Sequence, residues 1–310
     1  MSEALKLAER GIYVGTCGWT DPTLIEAGTF YPPEVADDAE ERLRFYADRF
    51  PIVEVDSTYY SPPSERTAGL WVERTPKDFV FDIKAFRLLT NHPTPPRALW
   101  KDLRAELPGE AADKRNLYLD DLPEVLRGEA FDRFASALMP LHSSGKLGLI
   151  LFQFPHWFLP GRKSFDHLTG VAERLADYEV SVEFRQQLWM DEDHRDTTLD
   201  FLSRLNLVYV GVDEPQGFSS SLPPVAALTG PRGAVRFHGR NAETWEKKGI
   251  TAAERFAYDY RPEELAEWVP KIGGLQESGR PVHVLMNNCY SDYAVRNGAT
   301  LAGLLLDTLE

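Results

Sequence analysis

A chain of 310 residues with 43% hydrophobic and 26% charged residues has ordinary globular composition, and it is long enough for one (β/α)8 barrel with insertions. Its formal charge of -14 argues against a broad, sequence-independent grip on nucleic acid, which needs Lys and Arg to neutralise phosphates. No run of about 20 apolar residues is present to span a membrane, and MSEALKLAERG carries acids but no signal-peptide apolar core. The two cysteines, Cys17 and Cys289, are too few for a disulfide scaffold or a zinc-ligand set, and they fit a reducing cytoplasm.

Eight short segments rich in branched and aromatic residues begin near Ile12, Ile52, Phe79, Leu147, Val180, Leu207, Ala234 and Val282. Most are separated by helix-length stretches. Helices are expected over 37–50, from a Ser64 cap to Trp71, from a Ser164 cap through Leu175, over 197–205, over 262–272 behind a first-turn proline, and over 293–309. Strand–helix alternation over a whole chain predicts a parallel sheet covered by helices, and eight such units predict closure into a single TIM-barrel domain over 1–310. Two connections break the rhythm: a long insertion after the third strand (87–144, helical from Glu129 to Leu141) and the polar loop GFSSSLPP after Asp213. Loops of this length often serve as lids or surface excursions.

The strands themselves point to a pocket. Side chains at i and i+2 share a face, so Val53 and Val55 face the helices while Glu54, Asp56 and Thr58 face the barrel. By the same count Glu183 and Arg185 point inward, as do Arg236, His238 and Arg240. Lys84 shares a face with Asp82, Gln153 with Leu149 and Leu151, and Asp213 with Gly211. Charges late in several strands gather at the C-terminal face, where barrel enzymes keep their sites. Burying so many ions for stability alone is poor physics, because desolvation costs several kcal/mol per ion.

The runs GTCGW, VEVDSTYYSPP, FVFDIKAF, LGLILFQFP, VEFR with Trp189, VRFHGRN with Trp245, and MNNCY with Asn297 resemble the YecE-like family, also known as domain of unknown function seventy-two. The resemblance runs from about Ile12 to Leu305 and implies a TIM barrel, but no reaction, because the family has none established. It implies that the characteristic positions fall on Glu54, Thr58, Tyr60, Lys84, Gln153, Pro155, Glu183, Arg185, Asp213, Arg236, His238, Arg240, Asn287 and Asn288. Asp56 stands where the family frequently shows Asn.

The pocket chemistry suits an enzyme acting on a small anionic substrate, as a hydrolase, lyase or isomerase. Glu183 is the expected general acid or base, with His238, Lys84 and Asp213 beside it. Arg236, Arg240 and Arg185 are expected to hold a phosphate or carboxylate, since guanidinium groups bind such oxygens bidentately. Gln153, Asp56, Thr58, Tyr60, Asn287, Asn288 and Trp19 complete the expected binding wall. Replacing Arg236 with Ala is expected to abolish binding without unfolding the barrel.

Two alternatives stand beside this reading. A metal-dependent nucleic-acid enzyme resembling apurinic endonuclease barrels would use Glu183, Asp213, His238 and Asp56 as divalent-metal ligands and the aromatics Trp19, Tyr59, Tyr60, Trp189 and Trp245 for stacking. The interleaved arginines and the net charge speak against it, and no cofactor is predicted. A non-catalytic ligand-binding protein is the other. Cys17 and Cys289 are expected to lie close once the barrel closes, as small buried thiols. The six histidines other than His238 are expected to be structural or superficial.

Overall fold

Eight parallel strands pair in chain order and close on themselves: β1 (Ile12–Thr16), β2 (Ile52–Val55), β3 (Val80–Lys84), β4 (Leu147–Gln153), β5 (Val180–Glu183), β6 (Val208–Asp213), β7 (Gly233–Phe237) and β8 (Val282–Met286). β8 returns to β1 over five residue pairs, from Ile12 opposite Val282 to Thr16 opposite Met286. The structure is a computed structural model and describes residues 1–309. The fold is the expected (β/α)8 barrel, with the insertion after β3. Among the described residues no helix is long and apolar enough to cross a membrane.

Two irregularities prepare the barrel interior. β1 and β2 share a single pair, Thr16 opposite Val53, and the Tyr46 hydroxyl fills the gap. It accepts from Thr16 N at 2.9 Å and donates to Ile52 O at 3.0 Å, standing in for ladder bonds that the splayed strands cannot make. Between β3 and β4 the register shifts at Asp82, whose carboxylate accepts from Leu149 N at 2.7 Å. Gly148 makes that approach feasible, since a Cβ there would stand 2.2 Å from Asp82 Oδ1.

The helices follow the expected pattern with local corrections. The stretch expected as one helix over 262–272 is two, Pro262–Ala266 and Val269–Gln276. Pro270 has no N–H to continue the first, so the chain restarts there. A short helix, Glu3–Ala8, precedes β1; Ser2 caps it by accepting from Leu5 N, and it packs on β1 and the last helix, Tyr293–Leu309. In the insertion the main helix is Glu124–Ala137, followed by Met139–Ser143. Leu103, Leu117, Leu122 and Phe134 bury their side chains, so the insertion packs onto the barrel wall. The 217–224 loop has no helix, as expected, and is tied down where Ser219 O accepts from Gln187 N and Ser220 Oγ accepts from Trp245 Nε1.

Candidate active site

The alternation along β5 and β7 sends Glu183 and Arg236 to the barrel axis, where they meet. Arg236 is 2% exposed and bridges two carboxylates: Nη1 donates to Glu183 Oε2 at 2.6 Å and Nη2 to Glu54 Oε1 at 2.6 Å. Nη2 also lies 3.4 Å from Cys17 Sγ.

Glu183 is the most heavily bonded carboxylate of the centre. Besides Arg236 it accepts from Gln153 Nε2 at 2.6 Å, His238 Nε2 at 3.0 Å and Arg185 Nη1 at 3.3 Å. Burial works against its charge, but Arg236, His238 and Arg185 outweigh burial and hold it well below the usual carboxylate range. His238 Nδ1 faces the Asn287 amide at 2.8 Å. Asn287 donates there, so the tautomer assigned from the network carries its proton on Nε2, toward Glu183. Burial lowers the imidazole to about 4 despite Glu183, which keeps His238 neutral near pH 7. Glu183 and His238 are therefore fixed parts of a hydrogen-bonded frame.

The β2–β3 side is less complete. Lys84 Nζ lies 2.9 Å from Asp56 Oδ1 and 5.4 Å above the Tyr59 ring. Asp56 and Glu54 are in side-chain contact, and Glu54 Oε2 is buried without a protein donor. Burial raises Glu54 to about 8 against the pull of Arg236, with Asp56 adding to the rise. Burial also raises Asp56, but Lys84 and Arg236 outweigh it and hold that carboxyl below its ordinary value. The pair thus divides into a protonated Glu54 and an ionised Asp56 at neutral pH.

Asp56 reaches the surface of a cavity of about 340 Å³ at the mouth, lined also by Cys17, Trp19, Tyr60, Phe256 and Asn287. Trp19 stands edge-on to Trp71 and Phe81, and Tyr60 is 61% exposed at the rim. Cys17 and Cys289 lie together as expected, unbridged, with Cys289 Sγ 3.5 Å from Cys17 O. Burial raises both thiols, so neither is a ready nucleophile.

Several expected site residues lie elsewhere. Asp213 turns outward, accepting from Tyr260 Oη at 2.6 Å, Trp268 Nε1 at 2.6 Å and Arg240 Nη2 at 2.7 Å. Arg240 also pairs with Glu267 at 2.8 Å, so both residues tie β6 and β7 to the helix layer. The inward assignment of Asp213 followed Gly211, which has no side chain to report a face, and that of Arg240 continued the β7 alternation beyond the strand's end at Phe237. Val210 lines the barrel interior, and two positions from Val212 on that same face Glu214 reaches the centre instead. Glu214 accepts from Arg185 Nη1 at 3.0 Å and from Leu222 N at 2.7 Å, and burial raises it to about 8. Strand alternation counted from the valines would have found it.

Thr58 is a strut, its hydroxyl within 2.7 Å of Val55 O and 2.6 Å of Lys84 O. Asn288 holds Tyr258 O and Asn297 Oδ1 and stays out of the pocket. His92, expected to be structural, packs at the mouth against Tyr59 and Trp157, 5.2 and 6.0 Å between ring centroids. Burial lowers it to about 3, with Lys84, Arg87 and Arg185 adding to the effect. The expectation that an Arg236→Ala variant keeps its fold changes too, because Arg236 is the buried counter-ion of Glu183 and the one charged donor to Glu54.

Among the described residues no three His, Cys, Asp or Glu side chains converge as a metal-ligand group. The position between Glu54 and Glu183 is filled by the Arg236 guanidinium.

Residues 13–309 match the family model described as protein of unknown function DUF72. The chain belongs to the DUF72 family. It is 32% identical over 298 residues to the UPF0759 protein YunF of Bacillus subtilis strain 168, covering 95% of this chain and 94% of that one. A DUF72 protein of Thermotoga maritima MSB8 superposes with a TM-score of 0.73 at 29% identity, over 95% of this chain and 99% of that one. One from Enterococcus faecalis V583 superposes with a TM-score of 0.76 at 23% identity, over 95% of both chains. These DUF72 relatives carry the barrel fold and no assigned reaction, so the function is argued from the site.

Proposed function

We propose that the mouth of this DUF72 barrel binds a small phosphate- or carboxylate-bearing substrate and exchanges a proton with it through the Glu54–Asp56 pair. One observation carries the reading, the charge balance of the centre. With Glu54 and Glu214 keeping their protons to about pH 8, three cations (Lys84, Arg185 and Arg236) face two carboxylates, Asp56 and Glu183. A centre one charge positive inside a chain of formal charge -14 favours an anion at that point.

The roles divide by contact. Lys84 and Arg185 have side chains 14% and 16% exposed, against 2% for Arg236. They hold the substrate oxygens. Arg185 is braced over the Trp245 ring at 4.5 Å, which fixes the guanidinium plane. Arg236, buried between its carboxylates, sets the field and touches no ligand. Glu54 carries a proton at neutral pH and shares it with Asp56, which faces the cavity. A carboxyl poised near the working pH suits general acid–base chemistry such as isomerisation, elimination or hydrolysis. Glu183 and His238 position Arg236 and Arg185. A cytoplasmic setting fits the two unbridged thiols at the mouth.

A thermal-shift series with inorganic phosphate, sulfate and small carboxylates tests the reading. An anion at about 100 times its dissociation constant stabilises by about 2.7 kcal/mol, a shift of several degrees. The shift should vanish in Lys84→Met. An equal shift in that variant, or none with any anion, would sink the proposal.

A further inference from the structure

Beneath the Glu54–Arg236–Glu183 bridge the barrel interior holds a second polar group that the mouth chemistry does not use. Asp82 of β3 and His283 of β8 face each other across the axis, with His283 Nδ1 2.9 and 3.0 Å from the two carboxylate oxygens. His283 Nε2 lies 3.3 Å from Arg232 Nη1, and Arg232 pairs with Glu179 where the strands begin. Nδ1 donates to Asp82, and Nε2 accepts from Arg232. A bonded column thus rises from the N-terminal face to mid-barrel and ends at Asp82.

Between that column and the bridge lies a cavity of about 10 Å³ whose polar wall is Glu54, Asp82, Ser181, Arg236 and His283. The volume matches one water molecule. All five residues are buried, and two of their atoms, Arg236 Nε and Glu54 Oε2, have no partner within the protein. Such orphans are costly in an interior of low dielectric and call for a partner.

The wall chemistry selects that partner. Arg236 Nε–H requires an acceptor, whereas the Asp82 carboxylate favours a donor. An anion would be repelled by Asp82, and a metal cation would face the positive guanidinium of Arg236. Only a small neutral molecule that both donates and accepts satisfies every side. We propose that one water molecule is bound in the barrel axis, accepting from Arg236 Nε and donating to the Asp82–Ser181 wall. It fixes the guanidinium from below, as Glu54 and Glu183 fix it from above. It also joins two ion networks into one column from the mouth to the opposite face. The assignment is independent of any turnover at the mouth.

A crystal structure of the unaltered chain at a resolution that places waters tests it directly. The expected result is one full-occupancy water within hydrogen-bond distance of Arg236 Nε and of Asp82 or Ser181. An axial cavity without density, or a peak with metal-like coordination, overturns the proposal. In solution, water-proton relaxation dispersion should count one long-lived water fewer in Ser181→Val, whose extra methyl group fills the cavity. An unchanged count in the folded variant would contradict the assignment. Should Ser181→Val fail to fold, a water cross-peak to the Arg236 Nε–H signal of the unaltered protein decides the matter, and its absence overturns the site.

Discussion

The two halves of the barrel mouth use the same residue types to opposite ends. On the β5–β7–β8 side, Glu183 receives hydrogen bonds from Arg236, His238, Gln153 and Arg185 and is held ionised. On the β2–β3 side, Glu54 has one charged donor, Arg236, and an ionised neighbour, Asp56, and burial lifts it to about 8. Both carboxylates lie on the axis, and both are fully buried. What separates them is the number of donors each receives. A saturated carboxylate is scaffold, and an undersupplied one remains free to trade a proton.

The largest effect that would break this comparison is expected at its hinge. Arg236→Met should cost about 3–5 kcal/mol in denaturant unfolding, since it strands the buried, ionised Glu183 and takes from Glu54 its one charged donor. A cost under about 1 kcal/mol would mean that the bridge is not what holds the two halves together. Next comes Asp213→Ala, which orphans the Tyr260 hydroxyl and the Trp268 indole N–H. It should cost about 2–3 kcal/mol while leaving anion binding intact. A loss of anion binding without loss of stability would return Asp213 to the site.

A smaller effect sharpens the contrast through pH. Glu54 and Glu214 have folded values raised to about 8, so their contribution is complete below the ordinary carboxylate range and is lost as pH rises through about 8. Glu183 is depressed, so its contribution is present above the ordinary carboxylate range and is lost on acidification. The melting temperature should therefore be highest near the ordinary carboxylate range, falling with acid below it and falling as pH rises from it to about 8, and Glu54→Gln should make only this alkaline limb shallower. An alkaline limb of unchanged slope in that variant would remove Glu54 from its role. The smallest change is expected from Cys17→Ser, which keeps a polar atom beside Arg236 and should shift stability by about 1 kcal/mol or less. A larger loss would show that the thiol supports the bridge.

Much of this arrangement was legible in the sequence, for a definite reason. Strands have an exact period of two, so Glu54, Lys84, Glu183, Arg185, Arg236 and His238 could be placed on the axis by counting. The count failed where Gly211 offered no side chain to mark a face, so Asp213 was placed inward and Glu214 was overlooked. Helix ends were legible where a cap or a proline stood at a start, as at Ser64 and Pro262, and the break at Pro270 was missed although its cause is local. The division of labour among the carboxylates was not legible at all. It depends on how many donors converge from distant strands, and sequence periodicity carries no information about that number. The neighbourhood of Cys17 and Cys289 was accessible only because barrel closure makes the first and last strands adjacent.

Sulfate binding across the titration of Glu54 tests the central claim most directly, because sulfate stays dianionic throughout that range. Calorimetry at about pH 6.5 and about pH 9.5 brackets the value of about 8. The unaltered protein should bind sulfate at least about tenfold more weakly at the higher pH, and Glu54→Gln should lose a clear part of that difference, with Glu214 carrying the rest. Equal affinity at both pH values, or an equally steep fall in Glu54→Gln, would contradict the account.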